Sequence, residues 1–237
     1  MKFYPLETLK EYGGTQIILG KDLEKGKYVI QKKLSTKDEF AKVLFNNEKT
    51  ILKKLRHPNI IKLLGEAEDS LSFFIEYAQN GNLKTYIKHK KIHHKKKFFL
   101  LQIINVLCYI HNSGYVHNDL NLTNVLITEN LKCKVADFGF SGKIGEKAFP
   151  LRPAGIRIGT EQYCHKQIRM HKIENDIFAF GRLVYEVISE DFETKKDLDF
   201  NKIKNKNLIK LITKCLNNEF TSMKEILAII NKETEFY

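Results

Sequence analysis

The apolar pattern of this 237-residue chain changes period near residue 80, and that change limits its fold more than any other feature. Before it, the apolar runs are short: QIILG (16–20), KYVIQKKL (27–34) and LSFFIEY (71–77). Branched and aromatic residues crowd them and polar turns bound them, which is the pattern of strands. DLEKG (22–26), a polar turn with Gly26, predicts a hairpin between the first two runs. After residue 80 the apolar residues recur at helical spacing in 98–114, 175–189, 207–216 and 222–232. The second of these, NDIFAFGRLVYEVIS, is apolar on most sides and is predicted to be buried. Gly114 stops the first, and Ser222 with Glu225 opens the last. A β-rich lobe over 1–79 followed by a helical lobe over 80–237 is an α+β arrangement, with the join near Asn80–Asn82.

One helix interrupts the first lobe. Thr36 and Glu39 match the T-x-x-E capping box, which predicts a helix start there. Its apolar stripe, Phe40, Leu44, Ile51 and Leu55, includes the position of Glu48. A carboxylate on a buried face needs a cation beside it. The competing reading is a surface Glu at the edge of the stripe. Pro58 in RHPNIIKLLG (56–65) then breaks the helix, and another strand follows.

Hydrophobic residues make up 43% of the chain, enough for a sizeable core, which argues against disorder. No apolar run approaches a membrane span, and the first residues lack an apolar signal core. An intracellular protein, cytoplasmic or nuclear, is therefore expected. Cys108, Cys133, Cys164 and Cys215 lie far apart with no C-x-x-C, which argues against zinc and disulfide frameworks. The net charge of +12 favours an acidic partner. The densest basic run, KHKKIHHKKK (88–97), reads first as a solvated helix end and loop. Charge without an aromatic–basic motif does not make nucleic acid the expected partner.

Two stretches carry the chemistry. VHNDLNLTNVLI (116–127) holds a polar loop between two apolar pieces, so Asp119 and Asn124 project from one rigid loop. KVADFGFSG (134–142) places Asp137 after a short apolar strand and before Gly139. Two carboxylates and an amide oxygen on neighbouring loops suit Mg²⁺, a hard ion that takes oxygen ligands. Mg²⁺ of that kind usually comes with a nucleotide.

The order of motifs is VIQK, the helix Glu, H-x-D-L-x-x-x-N, D-F-G, GTEQY and D-x-x-x-x-G. On these the chain resembles eukaryotic-type protein kinases over nearly its whole length. The resemblance implies the two-lobed protein kinase fold, with ATP and Mg²⁺ between the lobes and a protein substrate. Thr160, in GTEQY, matches the Ser/Thr type. Lys32 would hold the α- and β-phosphates, with Lys33 the competing choice, and Glu48 would pair with Lys32. Asp119 would orient the acceptor hydroxyl and accept its proton; Asn124 and Asp137 would bind Mg²⁺. Adenine would meet backbone from Glu76 to Ala78, with Ile75 guarding the back pocket. Ile17, Ile30 and Leu126 would sandwich the base, and Leu9 would open the stretch that covers the phosphates. Asp176 would brace the catalytic loop, and His117 is expected to be structural.

The departures from the family pattern are specific. LKEYGGTQI (9–17) covers the glycine-rich loop, with Lys10, Tyr12 and Thr15 at its three glycine positions. Ile30 replaces a small residue above adenine. Asn118 stands where most kinases have the Arg that reads a phosphate on the activation segment, and residues 142–158 contain no Ser, Thr or Tyr. Activation by a phosphate in that segment is therefore not expected. Asn121 replaces the Lys that touches the transferring phosphate. Gln167 and Glu219 stand where an ion pair is usual. The segment between Tyr185 and Asn207 is short for the family, which predicts a reduced or absent helix before the last helices. The catalytic loop locally resembles the polo-like kinases. Two readings follow: an active Ser/Thr kinase that keeps Lys32, Glu48, Asp119, Asn124 and Asp137, or a pseudokinase that binds proteins with weak or no catalysis.

Overall fold

Strand-forming residues at the start of the chain pair with their nearest neighbours in sequence. The computed structural model describes residues 1–68, 70–90, 92–149, 159–164, 168–193 and 197–236. Strands β1 (Phe3–Tyr12) and β2 (Thr15–Asp22) form a hairpin in which Tyr12 pairs with Thr15. Gly13 and Gly14 close it at φ of 58° and 75°, a mirror-image turn that residues with a Cβ adopt only under strain. The sequence reading assigns no strand to residues 3–12, although apolar and polar residues alternate there. Strand β3 (Lys27–Leu34) follows β2 through the predicted hairpin.

Helix α1 (Glu39–Lys54) comes next. Its cap is Asp38, whose Oδ1 accepts the Ala41 amide at 2.7 Å, whereas the Thr36 hydroxyl accepts the Asp38 amide at 3.1 Å. The predicted capping box is therefore replaced by a carboxylate two residues on, a stronger acceptor that also suits the helix N-terminus. Strands β4 (Leu63–Glu66) and β5 (Ser72–Glu76) complete an antiparallel sheet in the order β1-β2-β3-β5-β4. Phe45 of α1 packs its ring on Phe73 of β5 at 5.0 Å, so helix and sheet share one apolar layer.

Helices dominate the rest. Asn82 caps α2 (Leu83–His89) by accepting the Thr85 amide at 2.9 Å. Helix α3 (Lys96–Asn112) ends at the predicted glycine, Gly114, at φ 82°. Four short strands follow: β6 (Tyr115–Val116), β7 (Val125–Ile127), β8 (Cys133–Val135) and β9 (Gly142–Lys143). β6 pairs with β9 and β7 with β8, so the stretches 117–124 and 136–141 are both held at their ends. Helices α4 (Ile173–Ser189), α5 (Lys206–Leu216) and α6 (Met223–Lys232) finish the fold. Ile177, Phe180, Leu183 and Val184 of α4 are fully shielded, as its apolar pattern predicts. Between α4 and α5 the only helical piece among the described residues is a single turn, Phe200–Lys202. The four cysteines are free thiols, and no helix of the described residues is long and apolar enough to cross a membrane.

The basic run at 88–97 is only partly solvated. Lys96 is 3% exposed; its ammonium donates to the Ile188 carbonyl at 2.9 Å and meets Glu190 at 2.9 Å. Lys97 donates to the Glu233 carbonyl at 2.6 Å and the Asn231 carbonyl at 3.1 Å, at the end of α6. The last two lysines of the run are thus staples to α4 and α6. Lys96→Met strands the Ile188 carbonyl and is expected to cost about 1–3 kcal/mol. The check is a lower urea midpoint at unchanged slope.

Candidate functional site

The loop after β6 rests on one buried carboxylate. Asp176, in the first turn of α4, is fully buried. It accepts the backbone amides of His117 and Asn118 at 2.8 Å each, and the ring Nε2 of His111 at 2.8 Å. Burial acts to raise its pKa, but the hydrogen bond and charge of His111, with His117, outweigh burial and hold the carboxyl below its usual range. These bonds turn the chain so sharply that Asn118 sits at φ 63°. His117 is fully buried, edge-on to Phe138 at 4.8 Å. Its Nε2 lies 3.0 Å from the Ala136 carbonyl and its Nδ1 accepts the Asp119 amide at 3.3 Å. Burial lowers its pKa, and both ring nitrogens are occupied, so it positions the loop as a neutral group.

Asp119 emerges from that support with each oxygen oriented. Its Oδ1 accepts both the amide and the hydroxyl of Thr160, each at 2.7 Å, and its Oδ2 accepts from Asn124 Nδ2 at 2.9 Å. Burial, and then the charge of Asp137, push its pKa up to about 7, against the opposing hydrogen bonds of Thr160 and Asn124. A carboxylate poised there is matched to accepting a proton near neutral pH. Asn121, at the position of the usual cation, is spent inside the loop. Its carbonyl accepts the Thr123 amide at 2.9 Å, the Thr123 hydroxyl at 2.6 Å and the Asn124 amide at 3.2 Å. Its amide donates to the Asp119 carbonyl at 3.1 Å and the Thr160 hydroxyl at 3.0 Å.

The opposite wall comes from the sheet. Ile17 pairs with Lys32 across β2 and β3, and Ile30 pairs with Ile75 across β3 and β5. Lys32 lies two residues beyond Ile30, so Ile17, Ile30, Lys32 and Ile75 share one face. The Lys32 ammonium bonds the Glu48 carboxylate and lies 4.0 Å from Asp137. Burial works against its charge, but those two carboxylates outweigh burial and raise its pKa. Lys33 instead pairs with Gln16 and Ser72 on the other face, away from Glu48. Asn47, beside Glu48 on α1, donates to the Gly139 and Ser141 carbonyls at 2.9 and 2.8 Å. This ties the helix to the Asp137 turn.

The remaining residues expected to meet a nucleotide are spread along the lobe junction. Ala78 is buried, and Leu126 of β7 packs against the common core with Ile17. The Glu76 side chain accepts the Lys62 amide at 2.8 Å and meets Lys134 at 2.7 Å. Leu9 falls in an irregular step of β1 between Thr8 and Lys10 and is 46% exposed. The stretch 9–17 spans the turn from β1 to β2, as expected, and forms a closed hairpin. Lys10 and Tyr12 belong to β1 and pair with Ile17 and Thr15, and Lys10 lies 5.0 Å from the Tyr12 ring centre. Two adjacent glycines favour a two-residue turn over an open loop. Gln167 lies outside the described residues, as do positions 150–158 of the activation segment. Glu219, at its expected partner position, is exposed and lies 4.0 Å from Lys214.

Sequence reasoning missed Asn47, His111, His171 and Asn175. Each is a polar residue whose partner lies at least 50 residues away or across a turn, and no local pattern marks it.

The oxygen donors fit Mg²⁺. Both Asn124 amide hydrogens go to Asp119, at 2.8 Å to its carbonyl and 2.9 Å to its carboxylate. The Asn124 carbonyl oxygen is then the atom left to meet a cation. The Asp137 side chain is 50% exposed, at φ 64°, beside Lys32. Among the described residues no cluster of three His, Cys, Asp or Glu forms a closed metal cage. One carboxylate, one amide oxygen and the oxygens of a polyphosphate make the open set that Mg²⁺ commonly accepts.

Residues 12–233 match the sequence model of the protein kinase domain. The chain is 32% identical over 189 residues to 3-phosphoinositide-dependent protein kinase B of Dictyostelium discoideum, across 75% of this chain and 21% of that protein. It is 31% identical over 150 residues to serine/threonine-protein kinase PLK4 of Danio rerio, across 59% of this chain and 15% of that protein, a distant likeness. It is 31% identical over 181 residues to NUAK family SNF1-like kinase 1 of Mus musculus, across 75% of this chain and 27% of that protein. The chain thus aligns with well under a third of the length of these relatives.

Proposed function

Because the chain belongs to the protein kinase family, we propose that it transfers the γ-phosphate of ATP to serine or threonine hydroxyls of protein substrates. One observation carries this reading. The Lys32–Glu48 pair is closed while the Asp119 carboxylate is oriented by Thr160 and Asn124. This supports the reading that the two halves of a transfer site act together. The lobes are assigned to residues 1–79 and 80–237.

Asp119 would receive the proton of the acceptor hydroxyl, and Thr160 and Asn124 fix which of its lone pairs is presented. Lys32 would hold the α- and β-phosphates, with Glu48 setting its direction. Asn124 and Asp137 would hold Mg²⁺, which when bound with ATP supplies charge neutralisation at the phosphates. Ile17, Ile30, Ile75 and Leu126 would line the adenine side, Leu9 would open the stretch over the phosphates, and the backbone of Glu76 to Ala78 would meet the adenine edge. The net charge of +12 suits an acidic protein substrate inside the cell. With Asn118 in place of a cation and no Ser, Thr or Tyr in 142–158, the site does not wait for a phosphate on its activation segment.

A second reading has its own observation. Asn121 is neutral and its amide is committed to Asp119 and Thr160. Losing one preorganised donor to a developing charge typically costs about 10²–10³ in rate. A pseudokinase that engages proteins through this fold is the form that reading takes.

The test is transfer of labelled γ-phosphate from Mg-ATP to generic acidic and basic proteins, with Mn²⁺ as a second cation. Transfer above that of Asp137→Asn supports the kinase; transfer equal to it across substrates supports the pseudokinase. Glu48→Gln should keep a cooperative melt while transfer falls by about tenfold to a hundredfold, because a misplaced Lys32 loses its alignment.

A further inference from the structure

Asn118 occupies the position of a cation, and its side chain is closed on every polar atom. It is 3% exposed. Its amide donates to the Phe140 carbonyl at 2.9 Å and to His171 Nδ1 at 2.5 Å. Its carbonyl accepts from Asn175 Nδ2 at 2.9 Å, and that amide also donates to the Met170 carbonyl at 3.0 Å. His171 is 4% exposed, and its ring lies against Gly142, where a Cβ would come within 2.1 Å of Nε2. Only glycine allows that approach. Burial lowers the His171 pKa, which agrees with Nδ1 acting as an acceptor.

This cluster joins the catalytic loop, the turn after Asp137, the stretch before α4 and the first turn of α4. The same stretch is laced to the start of the activation segment. Gly145 donates to the His171 carbonyl, His171 to the Glu146 carbonyl and Ala148 to the Arg169 carbonyl, each at 2.9 Å. An Arg at 118 would bring a buried charge in want of a phosphate. The uncharged cluster satisfies itself.

We propose that Asn118, His171 and Asn175 are positioning residues that form a neutral strut, holding residues 140–148 and the Asp119 loop in working register without a phosphate. The catalytic consequence rests on the kinase reading above; the strut itself does not. It makes assembly of the site a property of the fold and removes the usual switch.

Three full-chain variants test this by amide hydrogen exchange and steady-state kinetics. Asn118→Ala removes the hub. His171→Phe keeps a ring of similar shape and loses the acceptor. His171→Asn places Oδ1 where Nδ1 stood. The first two are expected to exchange the amides of Gly145, Ala148 and His171 about tenfold faster or more. Their kcat should fall about tenfold or more, with KM for ATP within about twofold, because alignment is lost and nucleotide contacts are not. His171→Asn should recover most of both properties. Wild-type exchange in Asn118→Ala and His171→Phe would overturn the strut, and so would a His171→Asn variant indistinguishable from His171→Phe. If Asn118→Ala does not fold, the two His171 variants decide. If the wild type moves no phosphate, the kinase reading fails and the exchange comparison still decides the strut.

Discussion

Asp119→Asn is expected to lower phosphate transfer by about 10²–10⁴ while the chain stays folded. The asparagine keeps an oxygen for the Thr160 amide and hydroxyl, both now bound at 2.7 Å, so the loop retains its main tether. What disappears is the group proposed to take the acceptor proton. The Asn124 amide, which donates to Oδ2 at 2.9 Å, would face a second amide and must turn. Part of the loss therefore reaches the cation ligand beside it. Labelled transfer from Mg-ATP, run with a circular-dichroism melt, separates the two effects. A rate within about tenfold of wild type would remove Asp119 from the role of base.

The largest stability effect is expected at Asp176. Asp176→Ala leaves the amides of His117 and Asn118 and the ring of His111 without an acceptor in a dry interior. Removing one partner of such a buried network costs about 3–5 kcal/mol. For a chain of this size that is a fall in Tm of roughly 6–20 °C. Asp176→Asn keeps the volume and one oxygen and should cost less. The pH dependence has a definite sign. The folded carboxyl is held below its usual range, so its contribution is present above the unfolded pKa and is lost as pH falls through the lowered folded one. The stability gap between wild type and Asp176→Asn should be full near pH 7 and shrink below about pH 4. A gap constant with pH would show that charge at Asp176 does not support the loop.

Some of the site was legible because its chemistry is local. Glu48 could be placed on the apolar face of α1 from helical spacing alone, and a buried carboxylate demands a cation. The structure supplies Lys32. Asp119, Asn124 and Asp137 sit in two short polar stretches between apolar ones, and such stretches fold as loops at strand ends. Gly13-Gly14 could be placed between the first two strands from the family pattern, and the structure shows that its backbone freedom closes a two-residue turn there.

By itself the sequence determined the strand-to-helix division near residue 80 and the family, and it marked the residues proposed above for acid, base and cation-binding chemistry. Those depend on residue type and spacing, which are written along the chain. The tertiary structure alone decided which polar residues are solvated and which are struts. Lys96 reads as one more surface lysine until the Ile188 carbonyl, 92 residues on, folds against it. Asn118 reads as a lost arginine until His171 and Asn175 close around it. Whether a polar group belongs to water or to the interior depends on what packs over it, and those partners come from distant parts of the chain.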